Sequence, residues 1–207
     1  MSNTCKIKII DYKAGNAPIV LHAVERLGYQ AELAAVPKQL ENAECIILPG
    51  VGSAGATMDS LKESGMADTL TEYILDKKIP FLGVCVGMQI FFEHSEEENA
   101  VCFGWLKGCV KKFDSTIVRV PQMGWNKVRF INKTPINANT GYFYFVNSYY
   151  AKPEDQSDTW GISNYGNDFT AAVRKDNIFG TQFHIEKSGE AGLLLLNEFL
   201  TYAGKIC

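Results

Sequence analysis

Three side chains in this 207-residue sequence have the types needed for covalent nucleophilic catalysis. Cys85 stands in Gly83-Val84-Cys85-Val86-Gly87, a G-x-C-x-G run between an apolar stretch at residues 80–84 and a helical pattern expected over 86–94. A nucleophile at such a strand-to-helix junction sits on a tight turn, and the flanking glycines remove side chains that would strike neighbouring elements. The turn exposes the sulfur at the carboxyl end of a strand, where α/β sheets place their ligands. It also sets the sulfur over a helix start, whose N–H groups favour thiolate and can hold an oxyanion. A small buried cysteine closing a core strand has the same pattern, since cysteine is among the most buried residue types. A base is needed to separate the two.

Residues 180–186, Gly180-Thr181-Gln182-Phe183-His184-Ile185-Glu186, alternate as a strand. The alternation predicts Gln182, His184 and Glu186 on one face and Phe183 and Ile185 on the other. Glu186 would then bond one ring nitrogen of His184, fix its tautomer and raise the basicity of the other nitrogen. A solvent-facing strand edge would also be polar on one side. His94 would lie about 13 Å along a continuous helix from Cys85, and His22 falls on the first predicted helix. If Cys85 is the nucleophile, His184 is the base.

The elements that must position these groups alternate in kind. Residues 6–11, 30–36, 44–48 and 80–84 read as strands, and residues 18–27 as a helix begun by Pro18 and stopped at Gly28. Residues 66–77 are helical by period. Buried strands alternating with helices indicate a parallel sheet covered on both faces. Beyond Trp105 the β-branched and aromatic residues come in short runs, at 142–150, 160–165 and 169–173, expected as antiparallel strands or an extension of the same sheet. Residues 189–202 close the chain as an amphipathic helix. The whole is expected to be one domain, residues 1–207.

Composition narrows the function classes. The chain is 46% hydrophobic and 21% charged, with a net charge of −3, which provides no electrostatic footprint for nucleic acid or a membrane surface. The opening residues Met1-Ser2-Asn3-Thr4 run directly into a strand with Lys6 and Lys8, unlike a secretory leader. The six cysteines contain no C-x-x-C pair and show no ligand spacing with the three histidines. The expectation is a cytoplasmic protein with reduced thiols, no metal and no cofactor.

The motifs taken in order resemble a known family. Pro49-Gly50-Val51-Gly52-Ser53, then Gly83-Val84-Cys85-Val86-Gly87-Met88-Gln89, then residues 180–188 match the class I (triad-type) glutamine amidotransferases in order and spacing. Within that class Ile10-Asp11-Tyr12, Gly15-Asn16, Met123-Gly124-Trp125-Asn126 and Tyr144-Phe145-Val146 are similar to the signatures of the glutaminase subunits of imidazole glycerol phosphate synthases. The likeness runs from Ile9 to Phe199. It implies a flavodoxin-like three-layer α/β fold with a mixed, mainly parallel sheet. It implies hydrolysis of glutamine to glutamate and ammonia by a Cys85-His184-Glu186 triad, with the oxyanion held by the N–H of Val86 and one from the loop of Val51 and Gly52. Gly50, Gly52, Gln89 and the backbone around Ser148 and Tyr149 would hold the glutamine. A (β/α)8-barrel cyclase would take the ammonia, meeting Asn126, Tyr144 and Lys187.

The chain departs from the family where Lys13 replaces glycine, Gln122 and Asn147 replace histidine, and Ile185 replaces proline. None of these touches the triad, and the two amides still hydrogen-bond. They leave open a divergent paralogue that feeds ammonia to an enzyme amidating a surface sugar. A silent partner-binding subunit and a cysteine peptidase also stay open. The intact triad argues against the first of these, and Gln89 with the Gly50-Val51-Gly52 loop against the second.

Overall fold

The computed structural model describes residues 5–13, 16–132 and 134–206. Met1, Ser2, Asn3, Thr4, Gly15 and Cys207, which enter the sequence reading, lie outside these. The described residues form thirteen strands. The first four are β1 (Ile7–Ile10), β2 (Ala31–Ala34), β3 (Cys45–Gly50) and β4 (Phe81–Cys85). Then come β5 (His94–Ser95), β6 (Ala100–Val101), β7 (Gly108–Lys112), β8 (Gln122–Phe130) and β9 (Gly141–Asn147). The last are β10 (Tyr149–Pro153), β11 (Thr159–Tyr165), β12 (Asn167–Lys175) and β13 (Ile178–Thr181).

The aliphatic runs build a parallel centre in the order β2-β1-β3-β4-β13. Every residue of β3 and β4 is buried, as strands covered on both faces require. This is the strand order of a flavodoxin-like sheet, whose ligands sit outside the carboxyl ends of the strands. Antiparallel β12 borders β13 and branches, carrying β10, β7, β5 and β6 one way and β11, β8 and β9 the other. The helices are α1 (Ala17–Arg26), α2 (Ala54–Glu63), α3 (Met66–Thr71), α4 (Val86–Gln89) and α5 (Gly189–Ile206), with a π-helical turn Glu72–Asp76 prolonging α3. Helix α1 packs on α5, and α2 on α3 and α4, which makes the helical layers around the sheet. Among the described residues no helix is long and apolar enough to cross a membrane.

Three expectations are corrected. The helix after Cys85 lasts four residues, not nine, because the carbonyls of Ile90, Phe91 and Phe92 accept instead from the N–H groups of Phe103, Leu106 and Gly104. His94 then lies in β5, so its distance along a helix is not what separates it from Cys85. The strand over 180–186 stops at Thr181: the Thr181 hydroxyl donates to the Phe183 carbonyl (3.0 Å), and the N–H of His184 donates to the carbonyl of Tyr144 on β9 (2.9 Å). Those backbone groups are no longer available to a ladder. A 3-10 turn, Ile185–Lys187, follows, and Phe183 and Ile185 are as buried as Gln182 and His184. The run 142–150 is broken at Ser148 into β9 and β10. Helix α2 went unread, although Ser53 caps it by accepting the Ala56 N–H at 3.3 Å.

Candidate active site

Four loops at the carboxyl ends of parallel strands converge: Tyr12 after β1, Val51 and Gly52 after β3, Cys85 closing β4, and His184 shortly after β13. The elbow is strained as the G-x-C-x-G spacing anticipates. Cys85 has φ +57° and ψ −114°, a combination unfavourable for a residue with a Cβ. It persists because backbone packs on backbone around it. A Cβ on Gly87 would lie 2.1 Å from the Leu48 carbonyl oxygen, and one on Gly50 2.3 Å from the Gly87 nitrogen.

The sulfur of Cys85 lies 3.9 Å from the Val146 carbonyl oxygen and 3.7 Å from the Gln182 side-chain nitrogen. His184 Nδ1 is 2.9 Å from Glu186 Oε1, and that oxygen also accepts from Asn16 Nδ2 at 2.8 Å. The predicted pairing of His184 with Glu186 is therefore present, made across a tight turn and not along one strand face. Burial alone would push the His184 ring toward neutrality. Hydrogen bonds to Cys85 and Glu186, with their negative charge, overcome it and raise the ring to about 10. Burial likewise acts to raise Glu186, but His184 and Asn16 hold the carboxyl below its ordinary range.

A folded-state value above the ordinary 6.5 means that the charged ring stabilises the fold fully below pH 6.5, and that this stabilisation is lost as pH rises through about 10. Cys85→Ala removes one of the ring's two partners. The His184 titration, followed by NMR of the imidazole carbons, is expected to move down toward neutrality in that variant. An unmoved midpoint would mean that the sulfur contributes nothing to the shift.

A cavity of about 270 Å³ opens over this centre, lined by Cys85 and His184 together with Val51, Gly52, Val86, Gln89, Ser148 and Tyr149 of the predicted site. Gly50 pairs with Cys85 in the β3–β4 register and lies beneath the elbow, and Glu186 backs His184. The Val51 N–H, an expected oxyanion donor, is held by the hydroxyl of Tyr12 at 3.3 Å. Both Gln89 side-chain donors are spent inside, on the Tyr149 carbonyl (3.1 Å) and Gln182 Oε1 (2.9 Å), which leaves its oxygen as the polar atom uncommitted by these bonds. Of the predicted partner-facing residues, Tyr144 and Lys187 come together. The Tyr144 N–H donates to the Ser188 hydroxyl and its carbonyl accepts from His184, bracketing the exposed Lys187. The Asn126 side chain instead donates to the Asn164 carbonyl on β11, at 2.6 Å.

Several residues of this site were missed from sequence. Gln182 donates to the sulfur, Asn16 fixes Glu186, Tyr12 occupies the Val51 N–H, and Glu97 lines the cavity. The Glu97 carboxyl is raised by burial despite accepting the Ala54 N–H at 2.8 Å. A glutamate in the run Glu96-Glu97-Glu98 carries no spacing signal. Gln182 was already placed beside His184 and could have been tried as a donor. Among the described residues no group of three or more His, Cys, Asp or Glu is disposed to hold a metal.

Comparison with known proteins agrees with this geometry. The family described as Glutamine amidotransferase class-I matches residues 8–202. The chain is 44% identical over 200 residues to the imidazole glycerol phosphate synthase subunit HisH of Leptospira interrogans, covering 93% of this chain and 98% of that one. It is 42% identical over 198 residues to subunit HisH 2 of Pseudomonas aeruginosa, covering 94% and 98%. It is 40% identical to the chloroplastic imidazole glycerol phosphate synthase hisHF of Arabidopsis thaliana over 94% of this chain, which spans 34% of that protein. Among solved structures, a glutamine amidotransferase superposes with TM-score 0.77 at 17% identity, covering 96% of this chain and 98% of that one. PurLQS from Thermotoga maritima superposes with TM-score 0.76 at 19% identity, covering 95% and 98%. The fold, the cavity that holds Cys85 and His184, and a match over nearly the whole length agree, and the chain belongs to the class I glutamine amidotransferases.

Proposed function

We propose that this chain is the glutaminase subunit of an imidazole glycerol phosphate synthase. It hydrolyses glutamine to glutamate and ammonia, and passes the ammonia to a (β/α)8-barrel cyclase that makes imidazole glycerol phosphate and AICAR in histidine biosynthesis. The observation that carries the chemistry is the strained Cys85 in one cavity with His184, whose Nδ1 Glu186 holds at 2.9 Å, and with the Val51-Gly52 loop. The Cys85 sulfur attacks the side-chain amide carbon, and the Val86 N–H with one from the Val51-Gly52 loop receives the oxyanion. The loop supplies Val51 only when Tyr12 releases it. His184 protonates the departing nitrogen as the thioester forms, then takes a proton from the water that cleaves it. The Gln89 oxygen and the backbone at Ser148 and Tyr149 bind the substrate, and the Glu97 carboxylate meets its α-ammonium group.

The partner is supported by the names of the relatives and by the length of the Arabidopsis protein, of which this chain spans 34%. Its docking face would hold Tyr144 and Lys187 beside Trp125, which is 56% exposed and meets Tyr144 edge-on at 6.0 Å. Asn126 reaches that face only by leaving Asn164. Glutamate release by the purified chain tests this reading, measured with and without a cognate cyclase and its ribonucleotide substrate. Turnover that needs Cys85 and rises at least about a hundredfold, some 2.7 kcal/mol of barrier, with both additions is expected. Cys85-dependent turnover indifferent to the ribonucleotide would assign the ammonia to another acceptor.

A further inference from the structure

Resting on the glutaminase reading, we infer that the paired amides of Gln122 and Asn147 form an acceptor site that holds ammonia beside the reacting carbon before it departs. Gln122 opens β8 and Asn147 closes β9, and the two stand directly opposite in the ladder. Residues so placed have Cβ atoms about 4.5–5.5 Å apart, close enough to share one small ligand. Gln122 is 3% and Asn147 5% exposed, yet Gln122 Oε1 and Asn147 Oδ1 have no hydrogen-bond partner. The Asn147 orientation is set by chemistry: its nitrogen donates to the Tyr149 carbonyl at 2.9 Å, a group that can only accept, so the oxygen is the atom left over. Buried acceptors without donors are costly, and a native structure that keeps two together calls for a missing donor.

The position indicates which donor. Asn147 lines the cavity with Cys85 and His184, as do its neighbour Val146 and Pro121, the residue before Gln122. Val146 is also the residue whose carbonyl lies 3.9 Å from the sulfur. Asn147 further closes a run of buried amides: Gln182 donates to the sulfur, Gln89 donates to Gln182 and to the Tyr149 carbonyl, and Asn147 donates to that same carbonyl. The bonds of that run are donated to another of its amides, to the Tyr149 carbonyl or to the sulfur, and the Asn147 oxygen is left at its end as an acceptor. Ammonia brings three N–H groups and one lone pair. Two neutral amide oxygens bind its hydrogens and, having no proton to give, leave it unprotonated. A water molecule could also donate there, and the two occupants differ in one chemical consequence. Ammonia held beside the glutamyl thioester can attack it: a C–N bond forms, the C–S bond breaks, the thiolate leaves, and the surplus proton passes through His184 back to the sulfur. Glutamine is regenerated, the reverse of acylation.

The test adds ¹⁵N-ammonium to unlabelled glutamine and reads, by mass spectrometry, ¹⁵N-glutamine formed per glutamate formed. The readout is a ratio, so it holds at whatever rate the chain turns over, and Cys85→Ala sets its zero. Gln122→Met and Asn147→Leu each remove one acceptor with little change of shape, and each is expected to lower the ratio fivefold or more. Gln122 lies outside the cavity lining, so Gln122→Met alone decides the matter if Asn147→Leu does not fold. Cys85-dependent glutamate with an unchanged ratio in a folded Gln122→Met variant overturns the ammonia site and leaves the pair to water. An absence of Cys85-dependent glutamate in the unmodified chain, tested with its cyclase, overturns the glutaminase reading and the ammonia site with it.

Discussion

Replacing Cys85 by alanine is expected to lower glutamate formation by about 10⁴-fold or more, and adding His184→Ala to it to cost almost nothing further. The two act as one unit. In the proposed mechanism the sulfur does the bond-making, and the ring, held near pKa 10 by Cys85 and Glu186, does the proton handling for that sulfur alone. Once the sulfur is gone the ring has nothing to serve. The check is glutamate release by the two single variants and the double variant under identical conditions. Losses that multiply in the double variant would show two independent contributions, and the triad assignment would fail. His184→Ala alone is expected to fall almost as far as Cys85→Ala.

The second large effect concerns a residue with no chemistry of its own. Gly87→Ala would place a methyl 2.1 Å from the Leu48 carbonyl oxygen, a backbone atom inside a strand that cannot give way. Either α4 or the end of β3 must move. Those two elements carry the Val86 N–H and the Val51-Gly52 loop, whose spacing sets the oxyanion position. Overpacking against backbone of this kind is expected to cost about 3 kcal/mol or more, a fall in Tm of about 6–12 °C for a chain of this size. Glutamate formation should be lost in whatever fraction stays folded. Gly28→Ala is the control: Gly28 has φ +85° but nothing within 4 Å of its Cβ, and only the backbone cost of about 1 kcal/mol applies. Thermal melts of both variants decide it, and equal Tm values would mean that the elbow is not packed as described.

Much of the site was legible because its strongest signals are local. The apolar strand, the two glycines and the cysteine between them lie within eight residues, and steric limits on one turn suffice to read them. His184 and Glu186 were paired correctly because two residues of separation keep them close in a turn as well as in a strand. The route by which they meet was misread, since the alternation of 180–186 looks the same from sequence whichever occurs. What turns the chain there is a carbonyl on β9 and a hydroxyl on β13, and neither announces its partner.

The sequence by itself determined the parallel α/β class, the family and the pairing of His184 with Glu186, and it supplied Cys85 as the candidate nucleophile, because hydrophobic period and short motifs are properties of neighbouring residues. Only the tertiary structure decided that Asn16 holds Glu186 across 170 positions, that Gln182 donates to the sulfur across 97, and that Tyr12 occupies the Val51 N–H across 39. Only there do Gln122 and Asn147 face each other with both oxygens unanswered. A hydrogen bond needs atoms about 3 Å apart, and for residues far apart along the chain the order and register of the strands alone set that distance.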